Sequence, residues 1–366
     1  LSTTTRAGAQ HLLPTADPLG LIAPDGTLVD SPGLPMPSDD VLLALYRGMV
    51  AGRRFDTQAT ALTKQGRLAV YPSARGQEAA EIGAVLALRP QDWLFPTYRD
   101  SMAVVTRGVD PVRVLTLLRG DWHSGYAPAE CNVAPQCTPL ATNSLHAVGF
   151  GHAARVKGED TVALVMLGDG ATSEGDTHEA LNFAAVWRSP VVFLVQNNGY
   201  AISVPLAKQT AAPSLAHKGV GYGIPSVLVD GNDAAAVHAV VERAVAAAAA
   251  GEGPTLIEAL TYRVEAHTNA DDATRYRDQD EVQTWLARDP IARLRTHLTA
   301  RGLLTDELAA QVDAQAEADA ASLRERMNTD TELDPRDLFR NVYAEQPPAL
   351  RDQEEQLLAE LREAHS

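Results

Sequence analysis

The chain has 366 residues, 45% of them hydrophobic, with 31 lysines and arginines against 47 aspartates and glutamates, a net charge of −16, and two cysteines. That length leaves room for one large α/β domain or two smaller ones and excludes a small disulfide-stapled module. The acidic balance argues against a general nucleic-acid or anionic-membrane binder, which needs a basic surface to displace counterions, and no run reaches the ~20 apolar residues of a membrane span.

Residues 1–38 carry Pro14, Pro18, Pro24, Pro32, Pro35 and Pro37, and proline both fixes φ and removes a backbone donor, so an extended arm lying on another surface is expected. Neither a basic-then-apolar leader nor an Arg-rich transit helix stands at the N-terminus, and the expectation is a soluble, cytoplasmic protein. Ser38, followed by Asp39, Asp40 and an apolar periodicity, predicts a helix running to about Lys64. A second helix is expected over 77–88, ending before Arg89-Pro90. Pro139 suits the first position of a helix over 140–157, within which Gly149 and Gly151 signal close approach of another backbone.

The middle third is the most informative. Residues 161–167 (TVALVML) and 191–196 (VVFLVQ) are short, nearly continuous apolar runs, as buried parallel strands require. A helix is expected between them over 176–187. Further strands are expected at 226–229 and 255–264, separated by an Ala-rich helix at 234–250. Strands alternating with helices imply an α/β fold with a doubly wound parallel sheet. Beyond residue 280 the pattern turns to charged amphipathic helices at 290–300 and 305–327. The expected organisation is thus an arm (1–38), an α/β domain (39–279) and a C-terminal helical extension (280–366) that packs on that domain or on a partner chain.

The first central strand runs into GDGATSEG (168–175) and the second into NNGY (197–200). In an open α/β sheet both lie at the carboxyl edge, where ligands bind, and the following helix aims its N-terminal amides there. Glycine at 168 and 170 lets the backbone approach phosphate oxygens. Asp169 and Asn198, on successive strand ends, bring a carboxylate and an amide oxygen toward one cation, and hard oxygen ligands suit Mg²⁺. No Gly-x-x-x-x-Gly-Lys-Ser/Thr occurs, so the site is not a P-loop. On residues alone, a Mg²⁺-dependent nucleotide or phosphate binder remains open.

The fuller strings narrow the reading. MLGDGATSEGD (166–176) and QNNGYAISVP (196–205), with FPTYRD (95–100), TPLAT (138–142), Asp230-Gly231, Gly253-Pro254, Tyr262-Arg263 and HTNADD (267–272), resemble the alpha chain of the thiamine-diphosphate-dependent decarboxylating component of 2-oxo acid dehydrogenase complexes. The resemblance extends over residues 40–345 and is nearest the branched-chain, 2-oxoisovalerate type, with pyruvate or acetoin dehydrogenase alpha chains as the alternative. It implies the thiamine-diphosphate-binding fold and oxidative decarboxylation of a 2-oxo acid with acyl transfer to a lipoyl group. By the same resemblance Asp169 and Asn198 bind Mg²⁺ through side chains and Tyr200 through its carbonyl, while Gly170 and Ala171 give amides to the diphosphate and Arg99 gives charge. Gly168, Glu174, Ala201 and Ile202 stand beside them. Tyr98, Thr138 and Leu140 line the ring region, Val70, Tyr98, Trp122 and Thr138 the substrate pocket, and His267 sits at the reactive end as the catalytic candidate and a cofactor contact, binding the diphosphate or assisting the acyl intermediate. The sequence departs from branched-chain relatives at Gln196, where an arginine toward the diphosphate is usual. No position matches the glutamate that activates the pyrimidine ring. The resemblance therefore implies an active site shared with a beta subunit in an assembly of two alpha and two beta chains, served by a lipoyl acyltransferase core.

Overall fold

The two apolar runs of the middle third become neighbouring interior strands. In the computed structural model, which describes residues 10–121, 124–329 and 334–364, strands β1 (Trp93–Phe95), β2 (Ala163–Gly168), β3 (Val191–Asn197), β4 (Ser226–Asp230) and β5 (Thr255–Leu260) pair in the order β1-β2-β3-β5-β4, all parallel. Helices cover both faces. Leu164 and Met166 of β2, with Val192 and Leu194 of β3, join the core beneath α1 (Asp39–Lys64), α2 (Glu78–Leu86) and a third helix, Ala234–Ala249. The alternate residues Val165, Leu167, Phe193 and Val195 join a second core beneath Thr142–Lys157 and Gly175–Trp187. Burial on both faces is why these strands read as continuous apolar runs rather than alternating ones.

Most expected elements are present, with Ser38 capping α1 through its hydroxyl. Three differ. Strand β1 carried no sequence signal, being three residues long and followed by Pro96. Pro139 does not start the next helix: Ala141 takes a left-handed conformation (φ +66°) and the helix begins at Thr142. The last strand ends at Leu260 rather than at 264, and the chain beyond it crosses toward the site. Of the two helical glycines, only Gly151 meets a neighbouring backbone, since a Cβ there would lie 3.3 Å from the Pro190 carbonyl oxygen, whereas Gly149 faces open space.

The described part of the N-terminal arm, residues 10–38, lies on this chain itself. Leu19 pairs with β4, accepting from the Asp230 amide and donating to the Leu228 carbonyl, each at 2.9 Å. Asp233 then serves two elements at once: Oδ2 accepts from the Leu21 and Ile22 amides at 2.6 and 2.7 Å, and Oδ1 caps helix Ala234–Ala249. At the other end, Asp306–Met327 packs along α1, burying Ala309, Ala316, Ala320 and Leu323. Helix Pro348–Ala364 buries none of its residues. Among the described residues no helix is long and apolar enough to cross a membrane.

Candidate active site

At the carboxyl edge of the sheet, Gly168 ends β2 in register with Gln196 of β3. The chain leaves β2 through Asp169 into a short 3₁₀ turn (Gly170–Ser173), and Glu174 precedes the helix Gly175–Trp187. The first amides of such a turn have no partner within it. A cavity opens here, lined by Tyr98, Arg99, Leu140, Gly168, Asp169, Gly170, Ala171, Glu174, Asn198, Tyr200, Ala201, Ile202 and His267. Five distant segments thereby meet at one place. A Cβ at Gly168 would meet nothing within 4 Å and would project into open space, whereas one at Gly170 would stand 2.7 Å from the Ala201 Cβ. Glycine at 170 is required by packing against Ala201 as well as by access to a ligand.

Three oxygens converge beside these glycines. Asn198 Oδ1 stands 3.3 Å from Asp169 Oδ1 and 3.1 Å from the Tyr200 carbonyl oxygen. Asn198 Oδ1 accepts from the Tyr200 amide at 3.3 Å, but toward Asp169 and the Tyr200 carbonyl it meets only acceptors; that contact is relieved either by turning the amide over, so that its NH₂ donates to both oxygens, or by a cation lying between them. One carboxylate, one amide oxygen and one carbonyl, all hard ligands, fit a small divalent cation that keeps some other ligands of its own. Asp169 is almost fully buried, which raises its carboxyl pKa, and the hydrogen bond from Gln209 Nε2 to Oδ2 (2.6 Å) opposes the rise. The described residues hold no cluster of three or more His, Cys, Asp or Glu side chains of metal-site geometry. The oxygen trio carries a single carboxylate and would not form one.

His267 closes the other end. Its Nδ1 receives Arg99 Nη2 at 3.0 Å and lies 3.4 Å from Arg263 Nη1. Guanidinium groups can only donate, so Nδ1 accepts and the ring proton sits on Nε2. Burial, with the Arg99 and Arg263 charges beside it, lowers the His267 pKa from 6.5 to about 4. The loop is fixed by Asp271, whose Oδ2 accepts from the His267 amide at 2.8 Å and from the Tyr276 hydroxyl. Arg99 also donates to the Ser73 carbonyl (2.8 Å), tying the 70–77 segment to the site.

Several expected residues stand elsewhere. Val70 does not line the cavity, because Leu118 O accepts from its amide and its side chain packs against the main core. Thr138 is exposed beside the cavity rather than in it. Trp122 lies outside the described residues. The structure adds Gln77, Thr97, Asp100, Gln196 and Arg263 to the lining. Arg263 donates to the Ile202 carbonyl and the Tyr276 hydroxyl at 2.7 and 2.8 Å and approaches the Tyr200 carbonyl at 3.3 Å. Its place in the Tyr262-Arg263 string was the available signal. Gln77 had none.

Comparison with known proteins bears on this geometry. Residues 46–335 match the family model described as "Dehydrogenase E1 component". The chain is 49% identical over 349 residues, 94% of each chain, to the 3-methyl-2-oxobutanoate dehydrogenase subunit alpha of Mycobacterium tuberculosis. It is 37% identical over 333 residues, 90% of each chain, to the pyruvate dehydrogenase E1 component subunit alpha of Staphylococcus aureus. The family model spans most of the fold, including every strand of the sheet and both ends of the cavity, and the chain belongs to the dehydrogenase E1 component family.

Proposed function

We propose that this chain is the alpha subunit of a thiamine-diphosphate-dependent 2-oxo acid dehydrogenase of the branched-chain type, acting on 2-oxoisovalerate and passing the acyl group to a lipoyl arm. The observation that carries the reading is the trio of Asp169, Asn198 and Tyr200 oxygens beside Gly168 and the first amides of the Gly170–Ser173 turn, in a chain that shares more with the branched-chain relative (49%) than with the pyruvate relative (37%). Asp169, Asn198 and the Tyr200 carbonyl would hold Mg²⁺. Gly170, Ala171 and Arg99 would hold the diphosphate. Bound thiamine diphosphate supplies the electron sink that decarboxylation of a 2-oxo acid needs.

The chain's own contribution is positional and electrostatic. Arg99 places positive charge at the anionic end of the cavity while orienting His267. His267, neutral with its proton on Nε2, presents a donor toward the cavity rather than a base. Tyr98, edge-on to the His267 ring at 6.1 Å between centroids, is the substrate-facing candidate. The cavity's carboxylates are Asp100, Asp169 and Glu174, the first two buried and hydrogen-bonded. No position of this chain matches the glutamate that activates the pyrimidine in related enzymes, and a site completed by a beta subunit belongs to the same reading. The arm (1–38), cofactor-binding domain (39–279) and helical extension (280–366) belong to the same reading, as do a lipoyl acyltransferase core as partner and a cytoplasmic location.

The test is co-expression with the beta chain and measurement of decarboxylation of 2-oxoisovalerate, pyruvate and 2-oxoglutarate, with and without thiamine diphosphate and Mg²⁺. Cofactor-dependent turnover fastest with 2-oxoisovalerate is expected. Preference for pyruvate would move the assignment to the pyruvate type, and absence of turnover alongside tight nucleotide binding would overturn it.

A further inference from the structure

Three buried carboxamide side chains connect the cation position to a carboxylate that does not touch it. Asp100 Oδ2 accepts from the Thr97 amide (2.6 Å) and hydroxyl (2.8 Å), and Oδ1 accepts from Gln196 Nε2 at 2.6 Å. Gln196 Oε1 accepts from Gln77 Nε2 at 2.9 Å, and Gln77 Oε1 accepts from Asn198 Nδ2 at 2.9 Å. Asp100, Gln77, Gln196 and Asn198 are each at most 5% exposed. Each junction is made directly between side chains, and so must pair a donor with an acceptor.

A carboxylate only accepts, whereas a carboxamide accepts on one side and donates on the other. Starting from Asp100, the direction of each junction is forced: Gln196 turns its NH₂ to Asp100, Gln77 turns its NH₂ to Gln196, and Asn198 turns its NH₂ to Gln77. Asn198 Oδ1 is then left facing Asp169 and Tyr200. Without a cation, that amide would be better satisfied turned over, giving its NH₂ to both oxygens, but its own oxygen would then meet Gln77 Oε1. The relay works against that alternative. Burial raises the Asp100 pKa, while its three donors oppose the rise. The Arg99 amide donates to Thr97 Oγ1 at 3.3 Å, which leaves the hydroxyl hydrogen for Asp100.

We propose that Asp100, Gln196 and Gln77 are positioning residues that set the orientation of the Asn198 amide, so that its oxygen is committed to the metal before the metal arrives. On this account Gln196 acts on the cation through two amides and is not a diphosphate contact. The proposal rests on the assignment of the cation to Asp169, Asn198 and Tyr200, and its test separates the two.

Asp100→Asn keeps the shape and reverses the polarity. The new amide must accept from the Thr97 N–H, so it turns its NH₂ to Gln196. Gln196, Gln77 and Asn198 then each turn over, and Asn198 offers NH₂ to the cation. The double variant Asp100→Asn with Gln196→Glu moves the carboxylate one place along the relay and restores the original direction at Gln77 and Asn198. The measurement is Mn²⁺ binding by electron paramagnetic resonance, on the alpha–beta complex with thiamine diphosphate present, together with the thermal unfolding midpoint. Asp100→Asn is expected to weaken Mn²⁺ binding about 10- to 100-fold, the range for groups that orient metal ligands, and the double variant to recover most of it. Wild-type affinity in Asp100→Asn, or no recovery in a double variant that folds, overturns the relay. If Asp100→Asn does not fold, Gln196→Met decides: it breaks the relay without changing charge, weakened Mn²⁺ binding supports the proposal, and unchanged binding overturns it. Absence of Mn²⁺ binding in the wild-type complex would instead remove the metal assignment on which the proposal rests.

Discussion

Two guanidinium groups against one imidazole nitrogen fix the chemistry available to His267. With Nδ1 occupied by Arg99 and Arg263, a second proton would have to sit between cations in a partly buried site, and the pKa falls to about 4. Because the folded value lies below the unfolded value of 6.5, protonation favours the unfolded chain. The stability that neutral His267 carries is intact above pH 6.5 and is lost as pH falls from 6.5 toward 4. The pH dependence of kcat/KM should accordingly show no limb from His267 between pH 5 and 8, and Arg99→Gln should raise its pKa, read from the imidazole resonances. A wild-type His267 that titrates near 6.5 would contradict the assignment. The candidate itself was legible, since His267 opens a string that resembles the family. What the sequence did not disclose is that Arg99, expected to serve the diphosphate, also sets this tautomer. That coupling joins residues 168 positions apart and exists only once the loops meet.

At the scale of elements, the site depends on how the segment before α2 crosses the segment after β5. Gly76 has φ +98°, and a Cβ there would stand 2.0 Å from the Tyr262 carbonyl oxygen. Around it, the Val264 amide donates to the Arg75 carbonyl at 3.1 Å and the Gly76 amide to Glu78 Oε2 at 2.9 Å. Gly76→Ala therefore combines a disfavoured backbone region with a clash against main chain, and should destabilise the protein by about 3 kcal/mol or more. The urea midpoint measures this, and an unchanged midpoint would refute it. The same crossing carries Gln77 into the site. Strands buried on both faces were legible as short apolar runs rich in β-branched residues, set between turn signals. Strand β1 was not, because its three residues are held in place by pairing with β2 and by Val133 alongside. The entry to helix Thr142–Lys157 was misread for a related reason: the left-handed turn at Ala141 belongs to how the chain leaves the cavity wall, and Pro139 carries no trace of it.

For the whole molecule, the question is what a cavity open at the sheet edge is prepared to meet. Apolar clusters lie on both faces of the sheet, and the described part of the arm is tied back by Asp233. The cavity wall is different. Leu140 and Ile202 line it yet remain 38% and 55% exposed, and Ile202, a β-branched residue, is held at φ +56°. Such a residue in the left-handed region costs about 1–2 kcal/mol, and here the Arg263 bond to its carbonyl keeps it in place. Strain at an exposed apolar side chain gives the isolated chain nothing. On the function proposed above, that side chain would be covered in the assembled enzyme by the beta subunit or the cofactor. Asparagine tolerates the left-handed region better than isoleucine and adds no glycine-like freedom to the unfolded chain. Ile202→Asn should therefore raise the stability of the alpha chain alone by about 1 kcal/mol, while lowering both its affinity for the beta chain and the cofactor-dependent activity of the mixture. Unfolding of the isolated chain and titration with the beta chain read the two effects separately. A variant that is less stable alone, or that assembles as wild type, would show that the strained rim is not part of the interface.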